Sequence, residues 1–287
     1  MTNPFDLHIH TTASDGSDTP AELLGKLRSA GVRLFSVTDH DTVGGTLEME
    51  KLVPEDMRFI RGVEFSCVSP VGKCHILGYG FDTDHPAFCA ALEEGRTLRL
   101  EKLERRLGKL REDHGVVLTE RERQWLLSLN SPGKPHLGRI LVERGMAADL
   151  DSAIRTYLGS VPGRDRIEAE TAIRAIVESG GISVWAHPLG GEGEKRLTPE
   201  KFAAQLETLL GYGIRGMECW YSRYSLKEVG FLLEQAKEHG LIVTGGSDYH
   251  GINKKGLALG MLNAEGVSAA VDADVLSDVL TDKLDMV

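Results

Sequence analysis

The chain of 287 residues has only four cysteines, and no two of them form a Cys-x-x-Cys pair. This spacing predicts free thiols in a reducing compartment rather than a disulfide framework or a structural zinc knot. No apolar run approaches the roughly 20 residues that a membrane helix needs, and the N-terminal residues show no signal-peptide pattern. We therefore expect a cytoplasmic protein that does not enter a membrane.

Basic residues are also outnumbered, with 33 Lys and Arg against 43 Asp and Glu and a net charge of −10. This balance argues against the binding of extended nucleic acid, which depends on many phosphate contacts. It does not exclude a small anionic substrate. The hydrophobic fraction of 41% and the charged fraction of 26% are typical of a globular enzyme and exclude disordered and fibrous classes.

Strand-like and helix-like segments alternate in residues 5–81 and again after Gly163. This alternation predicts parallel strands with right-handed crossovers, and hence an α/β barrel. Residues 84–164 between these two parts are helical and charged. We predict a barrel domain formed by residues 1–83 and 165–287, with residues 84–164 as a helical insertion that caps the carboxyl ends of the strands.

Local sequence signals predict the bounds of several elements. Thr19, Pro20 and Glu22 predict a capped helix start, and Gly31 predicts its end. The arginine-rich stretch 96–111 has interleaved acidic and leucine residues, which predicts a charge-mixed amphipathic helix at a cap or dimer surface. The other expected segments are a strand over Phe5–His10 and helices over Thr42–Val53, Glu93–Asp113, Ile167–Glu178 and Val275–Leu284.

The segments His8-Ile9-His10 and Asp248-Tyr249-His250 place two metal-ligating residue types two positions apart, just after apolar strand-like runs. Residues i and i+2 of a strand point to the same face, so each pair can converge on a cation. Imidazole with carboxylate suits Zn, Mn, Fe or Co. The predicted ligands, all expected at or beside the carboxyl ends of strands, are His8, His10, Asp15, His40, Glu64, His75, His187, Asp248 and His250.

Eight of these residues lie in six motifs, which in order along the chain are Asp6-Leu7-His8-Ile9-His10, Ser14-Asp15-Gly16, Thr38-Asp39-His40-Asp41, Gly62-Val63-Glu64, Ala186-His187-Pro188 and Gly246-Ser247-Asp248-Tyr249-His250. This set of motifs resembles that of the polymerase and histidinol phosphatase (PHP) superfamily. The resemblance implies a distorted (β/α)7 barrel with two to three divalent metal ions, of which Mn is the most expected and Zn, Fe or Mg are alternatives. The most similar subgroup contains 3′,5′-nucleoside bisphosphate phosphatases and ribonuclease AM exonucleases.

The resemblance also implies a distribution of ligands among the metals. One metal would use His8, His10, Glu64 and Asp248; a second would share Glu64 and add His75 and His187; a third would use Asp15, His40 and His250. Asp15 stands where many relatives have a histidine, which distinguishes the third site of this chain. Asp41 is a candidate proton relay, with support of the neighbouring ligands as the alternative.

The segment Lys134-Pro135-His136-Leu137-Gly138-Arg139 resembles the insertion motif of the same subgroup, in which a histidine and an arginine three residues later face the active cleft. Spaced in this way, His136 and Arg139 share a helix face. We predict that Lys134, His136, Arg139 and Arg223 contact the substrate. A solvated loop arginine is an equal alternative for Arg223.

These features together predict a metal-dependent phosphoesterase that hydrolyses phosphate monoesters of nucleotides by attack of a metal-bound hydroxide. The expected substrates are a 3′,5′-nucleoside bisphosphate, a nucleoside monophosphate or the 5′ end of a short oligoribonucleotide. The alternatives are a phosphatase similar to histidinol phosphatase, an amidohydrolase or deaminase, and a non-enzymatic polymerase-associated module. The protein is expected to be a monomer or a homodimer.

Overall fold

The computed structural model describes residues 4–191 and 196–269, which form eight β-strands and nine α-helices. The strands are β1 (Phe5–Asp6), β2 (Leu34–Val37), β3 (Arg58–Val68), β4 (Lys73–Tyr79), β5 (Ile167–Glu168), β6 (Ile182–Trp185), β7 (Gly216–Tyr221) and β8 (Ile242–Gly246). The helices are α1 (Pro20–Ala30), α2 (Gly44–Met49), α3 (Pro86–His114), α4 (Glu120–Ser128), α5 (Lys134–Glu143), α6 (Leu150–Tyr157), α7 (Ala169–Glu178), α8 (Pro199–Gly211) and α9 (Leu226–Glu238).

Local sequence signals account for the bounds of α1. The Thr19 side chain accepts a hydrogen bond from the backbone N–H of Glu22, and the Glu22 carboxylate accepts one from the backbone N–H of Thr19. This capping box satisfies two donors at the helix start. Gly31 ends the helix with a left-handed φ of 76°, a conformation that glycine adopts without a steric penalty. Both predicted bounds are confirmed.

The strands form one sheet in the order β1-β2-β3-β4-β6-β7-β8, and β5 adds to the end of β3. The first and last strands lie side by side, because the Leu7 N–H donates to the Gly245 carbonyl at 3.1 Å and the His10 N–H donates to the Tyr249 carbonyl at 2.9 Å. These bonds nearly close the sheet. The predicted α/β barrel is thereby confirmed.

The expectation that all strands are parallel, with every ligand at a carboxyl end, is wrong at β4. This strand pairs antiparallel with both β3 and β6, and Ser66 of β3 lies opposite His75. Because β4 runs in the opposite direction, its first residues lie at the end of the barrel where the parallel strands finish. His75 therefore reaches this end from the start of a strand. Glu64 comes from the middle of β3 rather than from its end.

Several element bounds differ from the prediction. Strand β1 stops at Asp6, since the following residues leave the regular ladder, and α2 is shorter than predicted. Helix α3 begins earlier, at Pro86, where proline fits the first helical position. Ile167 belongs to β5, because it pairs with Cys67 of β3. The predicted helix Val275–Leu284 lies outside the described residues.

Buried hydrophobic side chains form separate clusters in the barrel and in the helical segment, which comprises α3, α4, α5 and α6. Phe88 and Leu98 of α3 pack into the main barrel cluster, whereas Leu103 and Leu110 of the same helix belong to a cluster with α4, α5 and α6. Helix α3 thus anchors the helical segment on the barrel. Among the described helices, none has the length and apolar character required to span a membrane.

Gly246 allows β8 to approach the N-terminal segment closely. A Cβ at this position would lie 2.2 Å from the Cβ of His8. We expect Gly246→Ala to separate the two segments and to lower the free energy of unfolding by about 1–3 kcal/mol, as overpacking does. Thermal unfolding checks this beside Gly230→Ala, whose Cβ would have nothing within 4 Å and which should stabilise α9 by up to about 1 kcal/mol. Equal melting temperatures for both variants would contradict the argument.

Candidate metal centre

The structure brings all nine predicted metal ligands together at one end of the barrel. Three overlapping groups have ligand atoms within 4.8 Å of one another: His10, Asp15, His40 and His250; His8, His10 and Asp248; and His8, Glu64 and His187. His75 adjoins them, with its Nδ1 2.9 Å from Oε1 of Glu64 and 3.2 Å from Nε2 of His187.

Glu64 lies at the centre of these groups. Its Oε2 is 3.2 Å from Nε2 of His8 and from Nε2 of His10, and 3.0 Å from Nδ1 of His40. Its Oε1 lies 3.2 Å from Nε2 of His187. Both oxygens of this buried carboxylate therefore face imidazole nitrogens.

One carboxylate oxygen of Asp248 faces the imidazoles of the ligand groups, and the other accepts hydrogen bonds from neighbouring side chains. Its Oδ1 is 3.4 Å from Nε2 of His10 and 3.6 Å from Nε2 of His8. Its Oδ2 accepts hydrogen bonds from the Tyr221 hydroxyl at 2.9 Å and from the Lys254 ammonium at 2.6 Å. These two donors fix the orientation of the carboxylate, as the supporting partners of metal ligands do.

Asp15 lies at the outer side of the same end of the barrel. Its Oδ1 is 3.2 Å from Nε2 of His250, and its Oδ2 is 4.0 Å from Nε2 of His40. His250 Nδ1 lies 2.8 Å from the carbonyl of Asp248. A hydrogen bond donated by Nδ1 fixes the tautomer and leaves Nε2 as the free ligand atom.

The donor atoms of this group fit divalent metal ions. Five buried polar atoms have no hydrogen-bond partner within the described part of the chain: Nε2 of His8, His10 and His250, Nδ1 of His40 and Oε2 of Glu64. Buried polar atoms without a partner are unfavourable, and bound cations would satisfy these five. Imidazole with carboxylate is the donor set of transition metals such as Mn, Fe and Zn.

Electrostatics keeps the central carboxylate ionised but favours protons on some imidazoles. Burial would raise the pKa of Glu64, but nearby imidazoles, His40 foremost, hold it well below its usual value. Burial would lower the pKa of His8, but Glu218 and two further carboxylates raise it well above its usual value. Burial would also lower the pKa of His10, but the neighbouring carboxylates of Asp248 and Glu64 raise it to about 9. A metal must therefore displace protons from these two imidazoles.

Three residues of the site, of which two are predicted ligands, have backbone conformations that are unfavourable for residues other than glycine. Asp41, His187 and Asp248 have φ values of 52°, 30° and 56°, and within the described ranges they are the non-glycine residues with positive φ. Such conformations persist where surrounding contacts impose them, and they cluster at functional sites. Their location indicates that the loops at this end of the barrel are held for function.

Asp41 is tied to the helical segment. Its Oδ1 accepts a hydrogen bond from the Ser66 backbone N–H at 2.8 Å, and its Oδ2 pairs with the Arg99 guanidinium, with Nε at 3.1 Å. An ion-paired carboxylate of this kind favours support of the site over proton transfer. The role of Asp41 as a proton relay stays a prediction.

Glu218 of β7 is a site residue that the sequence did not reveal. Its Oε1 lies 2.9 Å from Nδ1 of His8, and its Oε2 accepts a hydrogen bond from the His187 N–H at 2.7 Å. It is fully buried and orients both ligands. A buried glutamate within the apolar run Gly216–Tyr221 was the available signal, but nothing local connects it with His8.

We expect Glu218→Gln to weaken metal binding and to lower catalytic efficiency by about 10- to 100-fold, the usual effect of losing a carboxylate behind a ligating histidine. Metal titration followed by calorimetry checks the first effect, and steady-state phosphate release checks the second. The exposed residue Glu178 of α7 offers a control, because Glu178→Gln should change neither quantity. Unaltered metal affinity in Glu218→Gln would refute the supporting role.

A cleft of about 470 Å³ opens between the helical segment and the ligand groups, and Asp15, His40 and His75 belong to its lining. Lys134, which the sequence predicts as a substrate contact, also lines it. The lining includes six basic residues that the sequence interpretation missed: Lys73, Arg99, Lys102, Arg106, Arg166 and Lys254. Three of them recur on one face of α3 at a helical spacing, which was a usable signal.

The other three predicted substrate contacts lie in different surroundings. His136 is buried, and its Nδ1 accepts a hydrogen bond from the Gly133 N–H at 3.0 Å. Arg139 is exposed and does not appear among the described residues that line the cleft. Arg223 donates to the Lys255 carbonyl at 2.9 Å. Substrate contact by these three residues stays a prediction.

Comparisons with known proteins agree with this geometry. No protein-family model matches the chain. It is 31% identical over 264 residues to a 3′,5′-nucleoside bisphosphate phosphatase from Chromobacterium violaceum, with 89% of this chain and 90% of that protein covered. It is 32% identical over 257 residues to a 5′-3′ exoribonuclease from Haemophilus influenzae, with 87% and 91% covered. It is 31% identical over 257 residues to a phosphoribosyl 1,2-cyclic phosphate 1,2-diphosphodiesterase from Eggerthella lenta, with 86% and 94% covered.

Solved structures share the fold over nearly the whole chain. A protein from Bifidobacterium adolescentis described as a metal-dependent phosphoesterase has a TM-score of 0.83 and 25% identity, with 97% of this chain and 96% of that chain covered. A Chromobacterium violaceum protein described as an amidohydrolase, solved with bound sulfate and without metal, has a TM-score of 0.78 and 26% identity, with 98% and 96% covered.

The fold, the buried imidazole and carboxylate groups and these relatives define a metal-dependent hydrolase that acts on phosphoester bonds. The chain belongs to the PHP-type metal-dependent phosphoesterases, the family of the bisphosphate phosphatase and the exoribonuclease described above. The predicted resemblance is thus confirmed. The non-enzymatic alternative loses its support, because the relatives that match most of this chain are enzymes.

Proposed function

We propose that the protein hydrolyses phosphate monoesters of nucleotides: a 3′,5′-nucleoside bisphosphate, a nucleoside monophosphate or the 5′ end of a short oligoribonucleotide. The observation that carries this proposal is that residues of the ligand groups line the same cleft as many basic side chains. Such a site favours a molecule that places one phosphate next to the metal ligands. The rest of this molecule carries negative charge and lies in the basic cleft. The names of the relatives support the same substrate class.

We further propose two to three divalent ions, with manganese as the preferred metal. The ligand sets would be His8, His10, Glu64 and Asp248 for the first, Glu64, His75 and His187 for the second, and Asp15, His40 and His250 for the third. Bound metals of this kind polarise phosphoryl oxygens and lower the pKa of water at neutral pH. The atoms without hydrogen-bond partners support this assignment.

Side chains of this chain would neutralise charge at the site and hold the substrate. Lys254 lies at the border of the ligand groups and the cleft, where its ammonium neutralises charge near Asp248. The basic cleft would hold the anionic substrate in place, which lowers the entropic part of the barrier. Residues 84–164 would act as a cap domain on a barrel of residues 1–83 and 165–287, a division that the separate hydrophobic cluster of the helices supports.

The free cysteines among the described residues fit a reducing compartment such as the cytoplasm. The expected partner is a small phosphorylated substrate rather than extended nucleic acid.

A phosphate-release screen tests the proposal. Protein supplied with manganese is incubated with AMP, adenosine 3′,5′-bisphosphate, a short 5′-phosphorylated RNA and histidinol phosphate. We expect release from a nucleotide to exceed release from histidinol phosphate. Asp248→Asn, purified in parallel, excludes a contaminating phosphatase because it should lose the signal. No release from any nucleotide, while a known phosphatase succeeds, would overturn the proposal, and ammonia release from a nucleobase would favour the deaminase alternative.

A further inference from the structure

Two ligands of the proposed third metal lie on loops that follow the first and last strands of the barrel. Ile9 and Tyr249 form an isolated parallel bridge that extends the sheet past β1 and β8. Asp15 and His250 lie beyond this bridge, where the regular pairing of the strands has ended. A fixed distance between these two ligands must therefore come from contacts between the loops.

Hydrogen bonds connect the two loops at three positions. The Ser17 N–H donates to the His250 carbonyl at 3.1 Å, and the Ile252 N–H donates to the Ser17 hydroxyl at 3.0 Å. The side-chain amide of Asn253 donates to the Asp15 carbonyl at 2.9 Å. We call these three hydrogen bonds the loop clasp. Two of them end on the backbone of a proposed metal ligand.

Close packing and a further polar group accompany the loop clasp. Gly251 has a φ of 65°, and a Cβ at this position would lie 1.9 Å from the Ser17 Oγ, so the approach of the loops requires glycine. On the outer side, the Tyr249 hydroxyl donates to an Asp18 carboxylate oxygen at 3.0 Å. The Lys26 ammonium of α1 donates to the same oxygen at 2.7 Å. The clasped loops are thus anchored on α1.

The Asp15 carboxylate has less direct support than the Asp248 carboxylate. Two donors fix Asp248 at 2.9 Å and 2.6 Å. Imidazoles apart, the donor found for the Asp15 carboxylate within the described ranges is the Ser14 hydroxyl at 3.5 Å, a distance at the limit of a hydrogen bond. The direction of this carboxylate therefore depends on where its backbone lies, and Asn253 holds that backbone.

Ser17 and Asn253 are separate from the substrate cleft. Neither of them occurs in the ligand groups or in the described lining of the cleft. Both side chains are half-buried. Replacing them should therefore affect the site through Asp15 and His250, so that an effect on ligand position can be distinguished from an effect on substrate binding.

We propose that Asn253 and Ser17 are positioning residues that assemble the third metal site by holding Asp15 beside His250. The inference rests on the proposed function, including its assignment of Asp15, His40 and His250 to one metal, and deepens it. The loop clasp keeps Oδ1 of Asp15 3.2 Å from Nε2 of His250. Because the loops are already ordered, a metal does not have to overcome their conformational entropy when it binds. The affinity of the third metal, and not that of the other ions, depends on the loop clasp.

Manganese binding by Asn253→Ala tests this proposal. We expect one ion to bind about 10- to 100-fold more weakly, the usual effect of losing a group that supports a metal ligand, and the other ions to bind as in the wild type. Calorimetric titration measures the affinities, and mass spectrometry after equilibration with defined free manganese measures the metal content. Asn253→Asp should match Asn253→Ala, because an ionised carboxylate has the shape of the amide but no donor. Gln124→Ala is the control, since it loses an exposed amide hydrogen bond on α4 and should bind manganese normally.

The dependence of phosphate release on manganese concentration is a second readout. In Asn253→Ala, the manganese concentration for half-maximal release should rise about 10- to 100-fold, in parallel with the affinity. Excess manganese should restore kcat, and KM for the nucleotide should stay unchanged. A kcat that stays low at every manganese concentration would indicate general damage and overturn the proposed role. Ser17→Ala, which removes the acceptor of the Ile252 N–H, should shift the manganese dependence in the same direction, and it replaces Asn253→Ala if circular dichroism shows that this variant does not fold.

The outcomes separate the loop clasp from the proposed function. Wild-type metal content and affinity in both Asn253→Ala and Ser17→Ala, with nucleotide hydrolysis by the wild type, would overturn the clasp and leave the proposed function in place. Selective loss of one ion from Asn253→Ala, in a protein that hydrolyses no nucleotide, would retain the clasp and overturn the proposed function. Equal weakening of all ions would overturn the selective role of the clasp.

Discussion

Replacing Glu64 with glutamine is expected to reduce phosphate release by about a thousandfold or more. The Glu64 carboxylate is the one side chain of the described site that contacts imidazoles with both of its oxygens, at 2.9–3.2 Å. An amide of the same shape offers one oxygen and no negative charge, so it cannot serve two cations. Without metal catalysis, several kcal/mol of transition-state stabilisation are lost. Each 1.36 kcal/mol added to the activation barrier lowers the rate tenfold.

The measurement combines steady-state phosphate release with metal content by mass spectrometry. Glu64→Gln should contain less metal than the wild type after identical manganese supplementation. Glu178→Gln serves as the control, because this exposed glutamate lies at the end of α7, outside the ligand groups. A Glu64→Gln protein with full metal content and near-normal turnover would exclude a bridging role for this carboxylate.

Metal affinity is expected to rise steeply with pH. In the metal-free protein, neighbouring carboxylates raise the pKa of His8 well above its usual value and raise that of His10 to about 9. Below these values both imidazoles hold a proton that the metal must displace, so affinity falls as the pH falls. Each displaced proton contributes up to about tenfold per pH unit. Two protons therefore predict a change of up to about 10⁴-fold between pH 6 and pH 8.

Calorimetric titration of manganese into metal-free protein at pH 6, 7 and 8 checks this prediction. Repeating each titration in buffers of different ionisation enthalpy counts the protons released. We expect about two protons per first metal bound at pH 7. An affinity that does not depend on pH, with no proton release, would show that these imidazoles are neutral before the metal arrives.

The sequence was sufficient to predict that the candidate ligands come together. His8 with His10 and Asp248 with His250 have the two-residue spacing of strand ends, and all four lie in the ligand groups. Their proximity was predictable because this spacing is a local property of extended backbone. The capping signals of α1 are local in the same way.

The sequence was misleading where direction mattered. His75 was expected at the carboxyl end of a parallel strand, but it lies at the start of the antiparallel strand β4. A run of alternating residues does not reveal which way a strand points in the sheet. For a similar reason, the sequence did not show that the basic face of α3 lines the cleft. Amphipathic spacing does not indicate which part of the protein a charged face contacts.

The sequence by itself determined which imidazole and carboxylate side chains of this barrel are the candidate metal ligands. Only the tertiary structure decided how those ligands are held and what faces them. Glu218 reaches His8 across 210 positions of the chain, and Arg166 and Arg106 line one cleft only because β5 and α3 both border it. Such pairs have no characteristic spacing, since their proximity arises from closure of the barrel and docking of the helices rather than from backbone periodicity.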